Sequence, residues 1–150
     1  MELRPFIQTV LLDEVRIMHQ SGVRMHTLAA VAHGIEVCGA LLDSKPFKAK
    51  DLGRSRFNLA LRLLFPKAYG EANGKVDLYS QLRSHMSHSL IPGNLLLFDA
   101  LQSHLELSDG VLHLSQNELV KDYENAILQL LQLLDTGKLV PKKMGTTLSF

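Results

Sequence analysis

Tryptophan is missing from this 150-residue chain, aromatic residues make up only 6% of it, and Cys38 is its sole cysteine. One cysteine excludes an intramolecular disulfide and leaves a cysteine-rich zinc site without ligands, so a reducing, cytoplasmic setting is expected. No uninterrupted run approaches the roughly 20 apolar residues of a membrane span. The first residues, MELRPFIQTVLLDEVR, carry charges where a secretory signal would be apolar. A soluble protein without a membrane partner is the expectation. The phosphate-cradling patterns GxxxxGK[ST] and GxGxxG are absent, as is the GxSxG nucleophile elbow.

What is present is leucine: 30 of them, within a chain that is 46% hydrophobic and 21% charged. That balance can bury a core and suits one domain. Leucine forms helices well, whereas strands favour aromatic and β-branched residues, so the fold class expected is mainly α. The net charge of +1 conceals an uneven distribution. Residues 1–44 hold 3 basic and 5 acidic side chains, residues 45–94 hold 9 and 3, and residues 95–150 hold 4 and 7. The middle third is a basic island of the kind that attracts phosphate backbones, although many single-domain surfaces are this uneven with no ligand.

Leu3, Phe6, Ile7, Val10, Leu11, Val15 and Met18 recur at helical spacing and predict a first helix that ends near Ser21-Gly22. A second stripe, Met25 through Leu42, stops before Pro46. Its small residues, Ala29, Ala32, Gly34, Gly39 and Ala40, invite close approach by another helix or a partner chain. RSRFNLALRLLF predicts a third helix with Phe57, Leu61 and Leu64 inward and Arg54, Arg56 and Arg62 at the surface. PKAYGEANGK reads as a loop, and DLYSQLRSHMSHSL as a fourth helix closed by Ile91-Pro92-Gly93. After Gly93 the pattern changes period. Two alternating segments around Ser108-Asp109-Gly110 predict a β-hairpin with Leu105 and Leu107 on one face. Ser115 with Glu118 is a capping-box pattern that opens a long last helix stopped by Gly137. The expected architecture is a four- to five-helix bundle with a small hairpin between helix four and the last helix. Residues 1–137 would form one domain, and 138–150 a loosely held tail.

Cys38 falls in an apolar helix and reads as core packing. His85 and His88, three apart, could form half of a metal site with His33 and Glu36. Polar pairs on helix faces are common, however, and the leading expectation is no metal and no cofactor. Arg83 and His88 have R-x4-H spacing. In a regular helix five residues turn through about 500°, which leaves the two side chains about 140° apart. They can share a site only if the helix frays or if a symmetric dimer brings two copies together.

R-x4-H near a helix end, in a small α domain with a basic loop between helices two and three, resembles the HEPN superfamily. Many of its members are metal-independent ribonucleases that work as dimers. The runs GIEVCGALLDSKPFKAKDLGRSRFNLALRLLFP and DLYSQLRSHMSHSLIPG, within about residues 30–95, look like the core of uncharacterised bacterial HEPN-like proteins. The resemblance implies that Arg83 holds the scissile phosphate and that His88 is the general acid or base. RNA supplies its own 2′-hydroxyl nucleophile, so this chemistry needs no metal. Glu36 would either orient a histidine or pair with a neighbouring arginine. Active members usually carry asparagine, aspartate or histidine directly after the arginine, where this chain has Ser84. The expectation is therefore a homodimeric RNA-binding or RNA-cleaving protein with Arg83, His88 and Glu36 at its site and Lys45, Lys48, Lys50, Arg54 and Arg56 on the RNA. The rival is a non-catalytic helical module for dimerisation or partner binding.

Overall fold

The computed structural model describes residues 2–98 and 103–144. Leu3, Ile7, Leu11, Leu12 and Val15 bury one side of the first helix, α1. It runs as an α-helical turn Leu3–Pro5, a π-helical stretch Phe6–Asp13 and an α-helical end Glu14–Gln20. Gly22, at φ 72°, supplies the left-handed turn that lets the chain reverse. Helix α2, Arg24–Leu42, is the centre of the molecule, with Leu28, Val31, Ala32, Ile35, Cys38 and Leu41 all buried. Its mean hydropathy of 1.4 makes it, among the described residues, the one helix long and apolar enough to cross a membrane. Counting uninterrupted apolar runs misses this because His33 and Glu36 break the run. In this fold most of the helix is buried against its own chain.

Helix α3, Gly53–Leu64, turns Phe57, Ala60, Leu61 and Leu64 inward. The next segment corrects the sequence reading: Lys67–Val76 is a helix, α4, where the glycine-rich PKAYGEANGK suggested a loop. Tyr69, Ala72 and Val76 recur at steps of three and four and are buried, so tertiary packing outweighs the propensity cost of Gly70 and Gly74. Helix α5 begins as a π-helical stretch, Tyr79–Ser84, and continues as α-helical His85–Ser89; Leu90, at φ 57°, ends it.

A small sheet follows, in the order β1 (Leu96–Phe98), β3 (Val111–Leu114), β2 (Glu106–Ser108). β1 is parallel to β3, and β2 is antiparallel to it around Asp109 and Gly110, both at positive φ as a tight two-residue turn requires. Leu105 does not join the strand. At φ 64° it breaks the alternation, and Leu107 is left exposed instead of sharing an inward face with it. Ser115 caps the last helix, α6 (Gln116–Asp135), by accepting the Glu118 amide, and Gly137 at φ 68° follows its end. The expected tail is held where it is described: Leu139 is buried and Lys142 reaches Asp43 at 2.6 Å. Residues 145–150 lie outside the described residues.

The small residues of α2 serve the fold itself. A Cβ on Gly39 would overlap the backbone carbonyl of Arg56 on α3, and a Cβ on Gly34 would overlap the hydroxyl of Tyr123 on α6. The close approach foreseen for this face is thus made by the chain's own helices. Gly39→Ala should destabilise the protein by about 1–3 kcal/mol, because backbone cannot yield as a side chain end can. Gly70→Ala, on a helix surface with open space around it, should stabilise by about 0.5–1 kcal/mol. Urea midpoints of the two variants check both signs, and a neutral Gly39→Ala would disprove the tight crossing.

Candidate functional site

Arg83 sits at the junction of the two halves of α5, and its side chain turns towards α2. Its Nε lies 2.7 Å from Glu36 Oε2, an ion pair without the alignment of a hydrogen bond. Both side chains are about a fifth exposed, at 20% and 24%. One guanidinium nitrogen donates to Ser87 Oγ, whose own proton is directed to the Arg83 carbonyl at 2.8 Å. His33 Nε2 stands 3.3 Å from the same Ser87 oxygen, and His33 Nδ1 lies 2.6 Å from the carbonyl of Ala29. The start of α3 closes the other side. A Cβ on Gly53 would lie 2.6 Å from Tyr79 Oη and 3.2 Å from Glu36 Oε1, so any side chain there would disturb both.

The structure therefore joins Arg83 to Glu36, the arginine-partner option of the two open for Glu36. It leaves His88 exposed, with no hydrogen-bond partner among the described residues, so R-x4-H does not close a site within one chain. His85 is exposed as well. Among the described residues no group of three or more histidine, cysteine, aspartate and glutamate side chains is placed to hold a metal ion, and His33, Glu36, His85 and His88 are not so gathered. Cys38 is fully buried, and burial pushes its thiol far above the usual range, which suits packing and not nucleophilic work.

The basic loop divides in two. Lys45, Lys48 and Lys50 are exposed and make no side-chain ion pair among the described residues. Arg54 pairs with Asp77 and lies 4.8 Å over the Tyr79 ring, still half exposed. Arg56 corrects the expectation of a surface cation, for it is 5% exposed. Its guanidinium donates to Asp43 at 2.7 Å and to the carbonyls of Pro46 and Phe47 at 2.8 and 2.9 Å, folding the loop around itself. A buried arginine survives only when its donors are matched in this way. The helical spacing held the signal, since Arg56 lies four residues before Ala60 and eight before Leu64, on the buried stripe. Arg62 remains exposed and, with Lys45, Ser55 and Asn58, lines a hollow of about 520 Å³ over this clamp.

A second polar network escaped the sequence reading. Tyr69 Oη donates to Asp122 at 2.8 Å and meets His104 Nε2 at 2.8 Å, while the Ser115 amide donates to His104 Nδ1 at 3.0 Å. Burial lowers the pKa of His104, against the pull of Asp122 and Glu118, and raises that of the Tyr69 hydroxyl. The neutral imidazole thus ties the approach to β2 to both α4 and α6. Treating Tyr69 as a loop residue hid its partner.

No protein-family model matches the chain, and no curated protein or solved structure matches it either.

Asp43 ties Arg56 to Lys142. Burial works to raise its pKa, but hydrogen bonds from Arg56, Lys142 and the Lys45 amide outweigh that and hold it below the usual carboxylate value. A depressed carboxylate contributes stability that is present above its unfolded pKa, about 3.9, and is lost as the pH falls through the folded value. Asp43→Asn should cost on the order of 2–4 kcal/mol at pH 7, since it strands the buried Arg56 charge. The gap from wild type should narrow below roughly pH 4. Urea unfolding of both proteins at pH 7 and pH 3 checks this, and a gap that does not depend on pH would count against the clamp.

Proposed function

We propose that the chain is a HEPN-like helical protein of the cytoplasm that binds RNA and, as a homodimer, cleaves it without a metal ion. The observation that carries this reading is the placement of Arg83. It is a cation fixed by Glu36 across α2 and α5, at the middle of α5, just before the end segment where His85, Ser87 and His88 are open to solvent. Arg83 binds the phosphate at the cleavage point, and Glu36 is its positioning residue. His88 transfers a proton. In one chain His88 stands apart from Arg83, so the pairing of two α5 ends supplies the compact site. Lys45, Lys48, Lys50, Arg54 and Arg62 carry the RNA backbone, with Arg56 kept to the loop interior. Ser84 and the engagement of Arg83 with Glu36 favour the rival reading, a non-catalytic helical module for dimerisation or partner binding.

Arg83→Ala and His88→Ala should each slow cleavage of a panel of RNAs by about 10²–10⁴-fold, the usual worth of a positioned proton donor or charge, while a chelator leaves the rate unchanged. Light scattering at micromolar concentration should give twice the 16.7 kDa chain mass. A monomer, or a wild-type protein that cuts no RNA in the panel, would replace this reading with the non-catalytic one. RNA affinity should fall steeply with salt. Lys48→Ala with Lys50→Ala should flatten the logarithmic slope by roughly 0.7 for each phosphate of a single strand that is no longer neutralised. A salt-insensitive affinity would remove the phosphate-tracking role of the loop.

A further inference from the structure

The histidine that a shared hydroxyl links to Arg83 is not in its motif. His33 lies on α2, fifty residues away, yet one hydroxyl separates the two side chains, since Ser87 Oγ accepts from the Arg83 guanidinium and stands 3.3 Å from His33 Nε2. The tautomer of the neutral imidazole follows from its other contact. The Ala29 carbonyl, 2.6 Å from Nδ1, can only accept, so in the neutral ring Nδ1 carries the hydrogen and Nε2 carries the lone pair. That lone pair is not satisfied by Ser87. A serine hydroxyl has a single proton, and the Arg83 carbonyl at 2.8 Å is the nearer acceptor for it. The geometry is therefore a base of fixed tautomer, partly exposed and without a committed donor. It stands beside a guanidinium that Glu36 holds in place. A general base is recognised by a free lone pair within hydrogen-bond reach of where the substrate hydroxyl will lie.

We infer that His33 is the general base of the Arg83 site and that its substrate hydroxyl is the ribose 2′-hydroxyl next to the phosphate held by Arg83. The inference rests on the RNA-cleaving reading above and deepens it. His33 Nε2 takes the proton from the 2′-hydroxyl, and the freed oxygen pair forms a bond to the adjacent phosphorus. The bond from phosphorus to the 5′-oxygen breaks, and the departing oxygen receives a proton from the His88 imidazolium. One proton enters at His33 and one leaves at His88, so no co-reactant is needed. Arg83 carries the charge that grows on the phosphoryl oxygens, and Glu36 keeps Arg83 from swinging to solvent. The division of labour also gives His88 a defined task, that of the acid, which its exposed position at the end of α5 allows. A ligand without a 2′-hydroxyl binds the same cations and is not cut.

The test uses the full-length protein with a short fluorescent single-stranded RNA and the same oligonucleotide as DNA. His33→Ala should lower kcat about 100-fold or more with KM and RNA affinity nearly unchanged, and added imidazole should restore part of the rate. His33→Gln, which keeps an amide donor for the Ala29 carbonyl, should be equally slow, with a Tm close to wild type. That combination separates lost proton transfer from lost packing. Wild-type cleavage that survives in His33→Ala, or a slow variant that imidazole does not rescue, would overturn the role of His33 and leave RNA cleavage by Arg83 and His88 standing. Wild-type protein that cuts neither oligonucleotide would overturn both.

Discussion

The structure depends on one crossing, where Gly39 of α2 meets the backbone of α3 at Arg56. Helix axes pack closely only where the side chains between them are short, and here the missing side chain lets one backbone lie directly on the other. Everything nearby is placed by that crossing. The end of α2 brings Asp43 within 2.7 Å of Arg56, Arg56 gathers the carbonyls of Pro46 and Phe47, and Lys142 closes on the same carboxylate. One buried ion pair therefore sets the shape of the loop that exposes Lys45, Lys48 and Lys50.

The same crossing prepares the Arg83 site one turn earlier on α2. Glu36 lies three residues before Gly39, and the start of α3 at Gly53 is close enough to leave room only for a hydrogen. Pinned between α3 and α5, the carboxylate fixes Arg83, and through Ser87 the arginine stands beside His33. Arg83 itself is carried by the π-helical turn of α5. The wider hydrogen-bond step of that turn shifts the side chains from their ideal angles, a change often found where a helix serves function and not packing alone.

How much of this was legible in the sequence depends on the range of the interaction. Local signals were sufficient where the physics is local. The Ser115 cap, the turns at Gly22, Gly110 and Gly137 and the buried stripes of α2 and α6 sit where spacing and backbone chemistry put them. Helix α4 was missed because glycines argue for a loop locally, while Tyr69, Ala72 and Val76 gain their stability from residues far along the chain. The candidate site shows the same division. Arg83 and Glu36 stood out as residue types, but only the tertiary structure pairs them, and His33 carried no signal for Arg83 because fifty residues separate the two. Arg56 was misplaced for a different reason: a cation near other cations reads as surface, although its position on the stripe of Ala60 and Leu64 already argued for burial.

The burial of Arg56 bears on how an electropositive surface should be inferred. A count of basic residues between 45 and 94 treats each as an equal source of field, yet their surroundings are not equal. Arg56 is neutralised by Asp43 under low-dielectric cover and adds little field outside, and Arg54 is partly cancelled by Asp77. Lys45 and Arg62 face solvent over the hollow above the clamp, and Lys48 and Lys50 face it from the loop. Phosphates of the proposed RNA ligand would meet a shorter line of charge on this face than the sequence implies, but a stiffer one. The loop that bears it is held from within by an arginine that the same phosphates never touch. Rigidity of that kind lowers the ordering cost of binding, so under the proposed RNA-binding reading the buried cation would contribute to recognition through the positions of its neighbours.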